Sequence, residues 1–157
     1  MKIEYLVQRS FNTTHPHAGI NSIERRLRDN SFFVVMEEGT FLGILTSSDI
    51  IESPHQLVID CVHDKPRVNC EKDIDWVLTF MKETGNYVLP VFEKNEFIGV
   101  VTRAAITDYL SEYRRKLKRE ISERTAELVA VNEQLNRQIQ ERKRAKESLR
   151  ISQEYAK

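Results

Sequence analysis

The chain has 157 residues and a mass of 18.4 kDa, with 24 Lys and Arg balanced by 24 Asp and Glu and 40% hydrophobic residues. This is room for about one globular domain with a buried core. No run approaches the roughly 18 apolar residues of a membrane span, and Met1-Lys2-Ile3-Glu4-Tyr5 lacks the basic-then-apolar order of a signal peptide, so a cytoplasmic protein is expected. Cys61 and Cys70 are too few for a disulfide framework and should pack as small free thiols.

Charge is divided by position. Residues 1–110 carry 11 basic against 16 acidic side chains, net −5, and residues 111–157 carry 13 against 8, net +5. An acidic globular part followed by a basic extension is the expected division.

In chain order, Thr13-Thr14 forms a polar lead-in to Ile20, Ile23 and Leu27, which share one face of a helix. The apolar run Phe32 to Met36, the turn Glu38-Gly39-Thr40 and the run Phe41 to Thr46 predict two strands joined by a hairpin. A second helix then begins near Asp49 and is stopped by Pro54. The same order recurs with Ile74, Val77, Leu78 and Met81, then Tyr87 to Phe92, the turn Lys94-Asn95-Glu96 and the run Phe97 to Thr102. Phe41-Leu42-Gly43-Ile44-Leu45-Thr46 matches Phe97-Ile98-Gly99-Val100-Val101-Thr102 at an offset of 56 residues, and Val35 and Ile50 meet Val91 and Ile106 at the same offset. Two strands per copy cannot bury both faces alone, so the copies should pack together as one unit.

The expected fold class is α+β: two tandem β-α-β-β-α repeats over 1–56 and 57–110, then a long helix over 111–157. The last proline is Pro90 and the last glycine Gly99, so nothing beyond breaks a helix.

Gly43-Ile44-Leu45-Thr46-Ser47-Ser48-Asp49, with Leu89-Pro90-Val91 and Gly99-Val100-Val101-Thr102, resembles a tandem pair of CBS domains (a Bateman module). That resemblance implies an adenine-nucleotide-like ligand, AMP, ADP, ATP or S-adenosylmethionine, in the cleft between copies. Free N–H groups at the helix start after Thr46 favour phosphate. Asp49 would accept both ribose hydroxyls, and an aliphatic wall at Phe33 and Val35 would cover the adenine. By the resemblance, Thr13 and Thr14 line the same pocket, and Thr102 and Arg103 offer the second copy's counterpart. Ala105 stands where the second aspartate would be, which puts that second site in doubt. Thr46-x-x-Asp49 is also the spacing of a capping box, in which both side chains serve the helix's own backbone; spacing does not separate the two readings.

Glu123-Arg124-Thr125-Ala126-Glu127-Leu128, with Glu141-Arg142-Lys143-Arg144-Ala145, resembles the signalling helix that joins bacterial sensor domains to histidine kinase and other output modules. Ile121, Leu128, Leu135 and Leu149 fall on one seven-residue track interrupted by Arg142, and Val131 lies three residues on from it. This pattern predicts a parallel two-stranded coiled coil. Ile139 sits one position off the track, a local stutter.

His15-Pro16-His17 and His55 with Cys61-Val62-His63 match no metal-ligand spacing, so no metal is expected. No catalytic constellation stands out, so the chain reads as a regulator and not an enzyme. Arg114-Arg115-Lys116 and Lys118-Arg119 are interleaved with Glu112, Glu120, Glu123 and Glu127, which favours helix ion pairs over nucleic acid. All four histidines precede residue 64, so the long helix has no phospho-acceptor histidine and the expected partners are a second copy and a downstream kinase or other output domain. The alternative is a ligand-free dimerisation platform with a helical spacer.

Overall fold

The computed structural model describes residues 1–157. After a 3-10 turn at Ile3–Leu6, the first copy comprises β1 (Thr13–Thr14), α1 (Ile20–Leu27), β2 (Phe32–Glu37), β3 (Thr40–Thr46) and α2 (Ser47–Glu52). A one-turn helix α3 (Val58–Cys61) precedes β4 (Val68–Asn69), α4 (Ile74–Thr84), β5 (Val88–Glu93), β6 (Glu96–Thr102) and α5 (Arg103–Tyr155). Each copy is a three-stranded mixed sheet, with a parallel pair bridged by a helix and an antiparallel hairpin. Two compact units result, Met1–Tyr109 and Leu110–Lys157.

The hairpins repeat in detail. Glu38 and Gly39, and likewise Lys94 and Asn95, all have positive φ, the two-residue turn whose twist suits an antiparallel ribbon. Each hairpin has an irregularity at the same place, Val35/Met36 and Val91/Phe92, opposite Gly43 and Gly99. Upstream of the hairpins the repeat shifts by two residues. Ile20, Ile23 and Leu27 correspond to Ile74, Val77 and Met81 at an offset of 54, and Thr14, beside Val35, corresponds to Val68, beside Val91. The longer α4, closed by Gly85 in the left-handed conformation, absorbs the difference.

Strand alternation divides the apolar side chains of the first copy's hairpin between two cores. Phe33, Val35 and Leu45 pack with Ile20, Ile23, Leu27, Val58 and Cys61 beneath α1. Val34 and Ile44 face the other way and join Val88 and Val100 in a core shared by the two copies, flanked by Phe11, Phe32, Phe41, Tyr87 and Phe97. Phe41 and Phe97, equivalent by the 56-residue offset, stack with centroids 4.1 Å apart, marking the internal two-fold axis.

Chain segments also cross between copies. Gln8 pairs in both directions with Val100, N–H to carbonyl at 2.8 and 3.0 Å, and a Cβ on Gly99 would sit 2.4 Å from the Gln8 carbonyl oxygen. On the other side a Cβ on Gly43 would sit 2.7 Å from Val62 Cγ1. Both glycines face the close approach of the segment that precedes the opposite repeat, against backbone at Gly99 and against a side chain at Gly43.

Candidate functional site

Two clefts flank the junction of the copies on either side of Tyr87. The first, of about 220 Å³, is bordered by Thr46, Ser48, Asp49 and Glu52 on one side, by Asn86 and Tyr87 on the other, and by His63 to Lys65 of the connecting segment. The second, of about 560 Å³, is bordered by Thr102, Arg103, Ala104 and Thr107, by Ser31, Phe32 and Tyr87, and by Gln8. The pairs Thr46 and Thr102, Ser48 and Ala104, Ser31 and Tyr87, and Phe32 and Val88 are equivalent at the 56-residue offset, so the clefts are pseudo-symmetric counterparts.

In the first cleft the Thr46-x-x-Asp49 box is formed. Thr46 N–H and Oγ1–H donate to Asp49 Oδ2 at 2.7 and 2.8 Å, and Asp49 N–H donates to Thr46 Oγ1 at 3.4 Å. The carboxylate has further partners from the connecting segment. Lys65 Nζ donates to Asp49 Oδ2 at 2.8 Å and to the Ile44 carbonyl at 2.9 Å, and both charged side chains are only 7% exposed. His63 Nδ1 lies 3.1 Å from Asp49 Oδ1, and its Nε2 lies 3.1 Å from Ser53 Oγ. With the proton on Nδ1 the imidazole donates to the carboxylate and accepts from the serine hydroxyl. Three donors thus converge on Oδ2 and one on Oδ1, which leaves at most one lone-pair position of the carboxylate open, on Oδ1.

In the second cleft Ala105 replaces the aspartate. Ala105 N–H donates to Thr102 Oγ1 at 3.1 Å, so the cap persists without a carboxylate and the threonine hydroxyl proton has no carboxylate to serve. Arg103 N–H donates to the Tyr87 carbonyl at 2.8 Å, while its guanidinium is exposed and makes no ion pair. Tyr87 donates its hydroxyl to the Ser31 carbonyl at 2.8 Å, tying the two copies together. Burial pushes the Tyr87 phenol up, opposed by a hydrogen bond with Thr46 and reinforced by the Asp49 charge, so it remains a neutral donor.

The structure brings Thr46 and Asp49 together in one cleft and Thr102 and Arg103 in the other. Phe33 and Val35 are elsewhere: both are fully buried in the first copy's own core, so they offer no adenine wall. Phe32, one residue along on the opposite face of β2, is the side chain of that strand that reaches the second cleft, where it joins Tyr87. Thr13 and Thr14 pair with Val34 and Val35 at the sheet edge and line neither cleft. Sequence reasoning missed Lys65, His63 and Tyr87, which come from segments remote from the signature. On α5, Ile121, Leu128, Val131, Leu135, Ile139 and Leu149 are each 50 to 69% exposed in the single chain.

A duplicated unit with two related clefts at its junction has the form of a regulatory ligand module. The CBS domain pattern matches residues 3–55 and 59–112, and the chain belongs to the CBS-domain family, whose modules are regulatory and not catalytic. A CBS-domain containing protein from Agrobacterium tumefaciens is similar at a TM-score of 0.61 and 19% identity, over 69% of this chain and 98% of that one. CBSX2 in complex with AMP is similar at 0.62 and 15%, over 72% and 98%. The cytosolic domain of the Mg2+ channel MgtE in complex with ATP is similar at 0.53 and 23%, over 66% and 46%. No curated protein sequence matches the chain. No helix is long and apolar enough to cross a membrane.

Proposed function

We propose that this chain is the sensor part of a bacterial signal-transduction protein: an adenine-nucleotide-like ligand enters the junction of the two CBS repeats, and a parallel coiled coil formed by α5 passes the change to a downstream output domain such as a histidine kinase. The observation that carries this reading is the pair of symmetry-related clefts at the junction, one of which includes Arg103, Ala104 and Thr107 at the start of α5. Complexes of the structurally similar CBSX2 with AMP and of MgtE with ATP support the ligand class. The uncovered apolar track on α5 supports self-association, because a row of half-exposed leucines and isoleucines is stabilised by burial against a second copy.

A ligand acts as a signal only if it binds one arrangement of the repeats better than another. Isothermal titration of the 157-residue chain with ATP, ADP, AMP and S-adenosylmethionine tests the sensor half; heat from none of them would remove it. Disulfide cross-linking of Leu128→Cys tests the other half, and a chain that stays monomeric at micromolar concentration would exclude the coiled coil. The second reading, a ligand-free dimerisation platform with a helical spacer, is favoured by one observation: Asp49 already accepts from four of the protein's own donors, three of them on Oδ2.

A further inference from the structure

Asp49 and Lys65 are replaced together in the other half of the molecule. Asp49 corresponds to Ala105 at the hairpin offset of 56, and Lys65 corresponds to Phe11 at the upstream offset of 54. Phe11 does not reach for a carboxylate; it packs on Phe97 with centroids 5.7 Å apart. The backbone carbonyls follow the same logic. Val100 accepts from the Gln8 amide, whereas its equivalent Ile44 accepts from the Lys65 ammonium. The two copies therefore hold their crossing segments by different means, one by a buried ion pair and the other by strand pairing and aromatic packing. Asp49 belongs to the first means.

Charge and size then separate the clefts. The first is bordered by Asp49, Glu52 and Asp64 against Lys65 as the one Lys or Arg, a net of −2 over these four, and Lys65 is already bound to Asp49 and Ile44. The second is bordered by one charged side chain, the unpaired Arg103. At about 220 Å³ the first cleft falls below the roughly 300 to 1,000 Å³ of small-molecule sites, and at about 560 Å³ the second falls within it.

We infer that Asp49 and Lys65 form an internal latch that closes the first cleft, and that a nucleoside phosphate is taken by the second cleft, with Arg103 on the phosphate and Phe32 and Tyr87 offering faces to the base. This rests on the nucleotide reading above and departs from the expectation that the aspartate-bearing copy holds the ligand. With three donors on Oδ2 and His63 on Oδ1, Asp49 keeps at most one open lone pair, one short of the two hydroxyls of a ribose diol unless the latch opens, and a phosphate entering that side meets net negative charge. A guanidinium with no partner is matched to a phosphate by bidentate geometry.

The test is isothermal titration of the full chain with AMP, ADP, ATP and adenosine, on wild type, Arg103→Ala and the double variant Asp49→Ala, Lys65→Phe, which gives the first copy the second copy's residues. The expected result is one site per chain, a loss of roughly tenfold to a hundredfold for the nucleotides in Arg103→Ala, and adenosine binding that does not change. The double variant should keep its nucleotide Kd within about twofold. Loss of binding in a folded double variant with retention in Arg103→Ala would overturn the inference and leave the nucleotide reading standing. Two sites per chain would overturn it as well. Absence of nucleotide binding in wild type would remove both. Arg103 is exposed, so that arm decides even if the double variant does not fold.

Discussion

Lys65→Met removes the buried ammonium and leaves a side chain of similar length. Asp49, 7% exposed, then keeps Thr46 and His63 but loses its cation, and the Ile44 carbonyl loses the Lys65 donor. Removing one partner of a buried pair costs about 3 to 5 kcal/mol, and the donors that remain on Asp49 place this case near the lower end, at about 3 kcal/mol. For a unit of this size roughly 4 °C of Tm per kcal/mol gives a fall of about 12 °C. Asp49→Ala should cost about as much, because it strands Lys65. The double variant Asp49→Ala, Lys65→Met should cost about 1 to 2 kcal/mol, mostly the cap at Thr46, so the double-mutant cycle should show a coupling of about 4 kcal/mol. Trp76, the single tryptophan, is stacked on Phe80 in α4 and lies within the unit Met1–Tyr109, so its fluorescence in urea reports that unit apart from the helix beyond. A loss below about 1 kcal/mol for Lys65→Met, or simple additivity in the cycle, would refute the latch.

Gly99→Ala should destabilise by about 2 kcal/mol or more in the same urea experiment, since its Cβ meets the Gln8 carbonyl oxygen in backbone that is itself paired, whereas Gly43→Ala should cost about 1 kcal/mol because Val62 is a side chain able to turn away. Tyr87→Phe, which deletes the bond to the Ser31 carbonyl, should cost about 1 kcal/mol. Because the Tyr87 phenol is pushed up in the folded state, its contribution is complete below the ordinary tyrosine range and is lost as pH rises through the higher folded value. Absorbance at 295 nm should show one of the five tyrosines ionising late, and its absence from the Tyr87→Phe titration assigns it. Leu128→Asp should abolish dimers in sedimentation at micromolar concentration, and a dimer that persists would place self-association elsewhere.

The hairpins were legible in the sequence because their pattern is local: turn residues, alternating apolar side chains and a glycine repeated at one offset. The helical faces of α1 and α4 were legible from Ile20, Ile23 and Leu27 and from Ile74, Val77 and Met81, all of which are buried. The two-residue strands β1 and β4 and the single turn α3 carry too few residues for any period to register. Phe33 and Val35 lie one step of the strand from the face that meets the junction: both faces of β2 are apolar, so alternation could not say which face that would be. Thr46 and Asp49 announced a cap or a site. Lys65, sixteen residues beyond Asp49, has no local signature, and the clue to it is the shift of offset from 56 to 54 that sets Phe11 opposite Lys65.

The asymmetry between the halves bears on how a signal leaves the sensor. Helix α2, which borders the first cleft, has six residues and ends before Pro54, so a ligand there would act on a short closed element. The helix bordering the second cleft is α5, which carries the leucine track. A ligand held by Arg103, as inferred above, would act on the first turn of the same helix whose later turns are proposed to pair with a second copy. In the proposed coiled coil the apolar track is interrupted at Arg142 and shifted at Ile139, so two helix arrangements there would need to differ by only a few kcal/mol. A hundredfold preference of the ligand for one of them, about 2.7 kcal/mol, is then enough to reverse the populations when the unliganded bias is smaller than that. On the proposed reading, closing the first cleft from within would remove a competing ligand position that has no direct hold on α5, and would leave the remaining site on the element proposed to transmit.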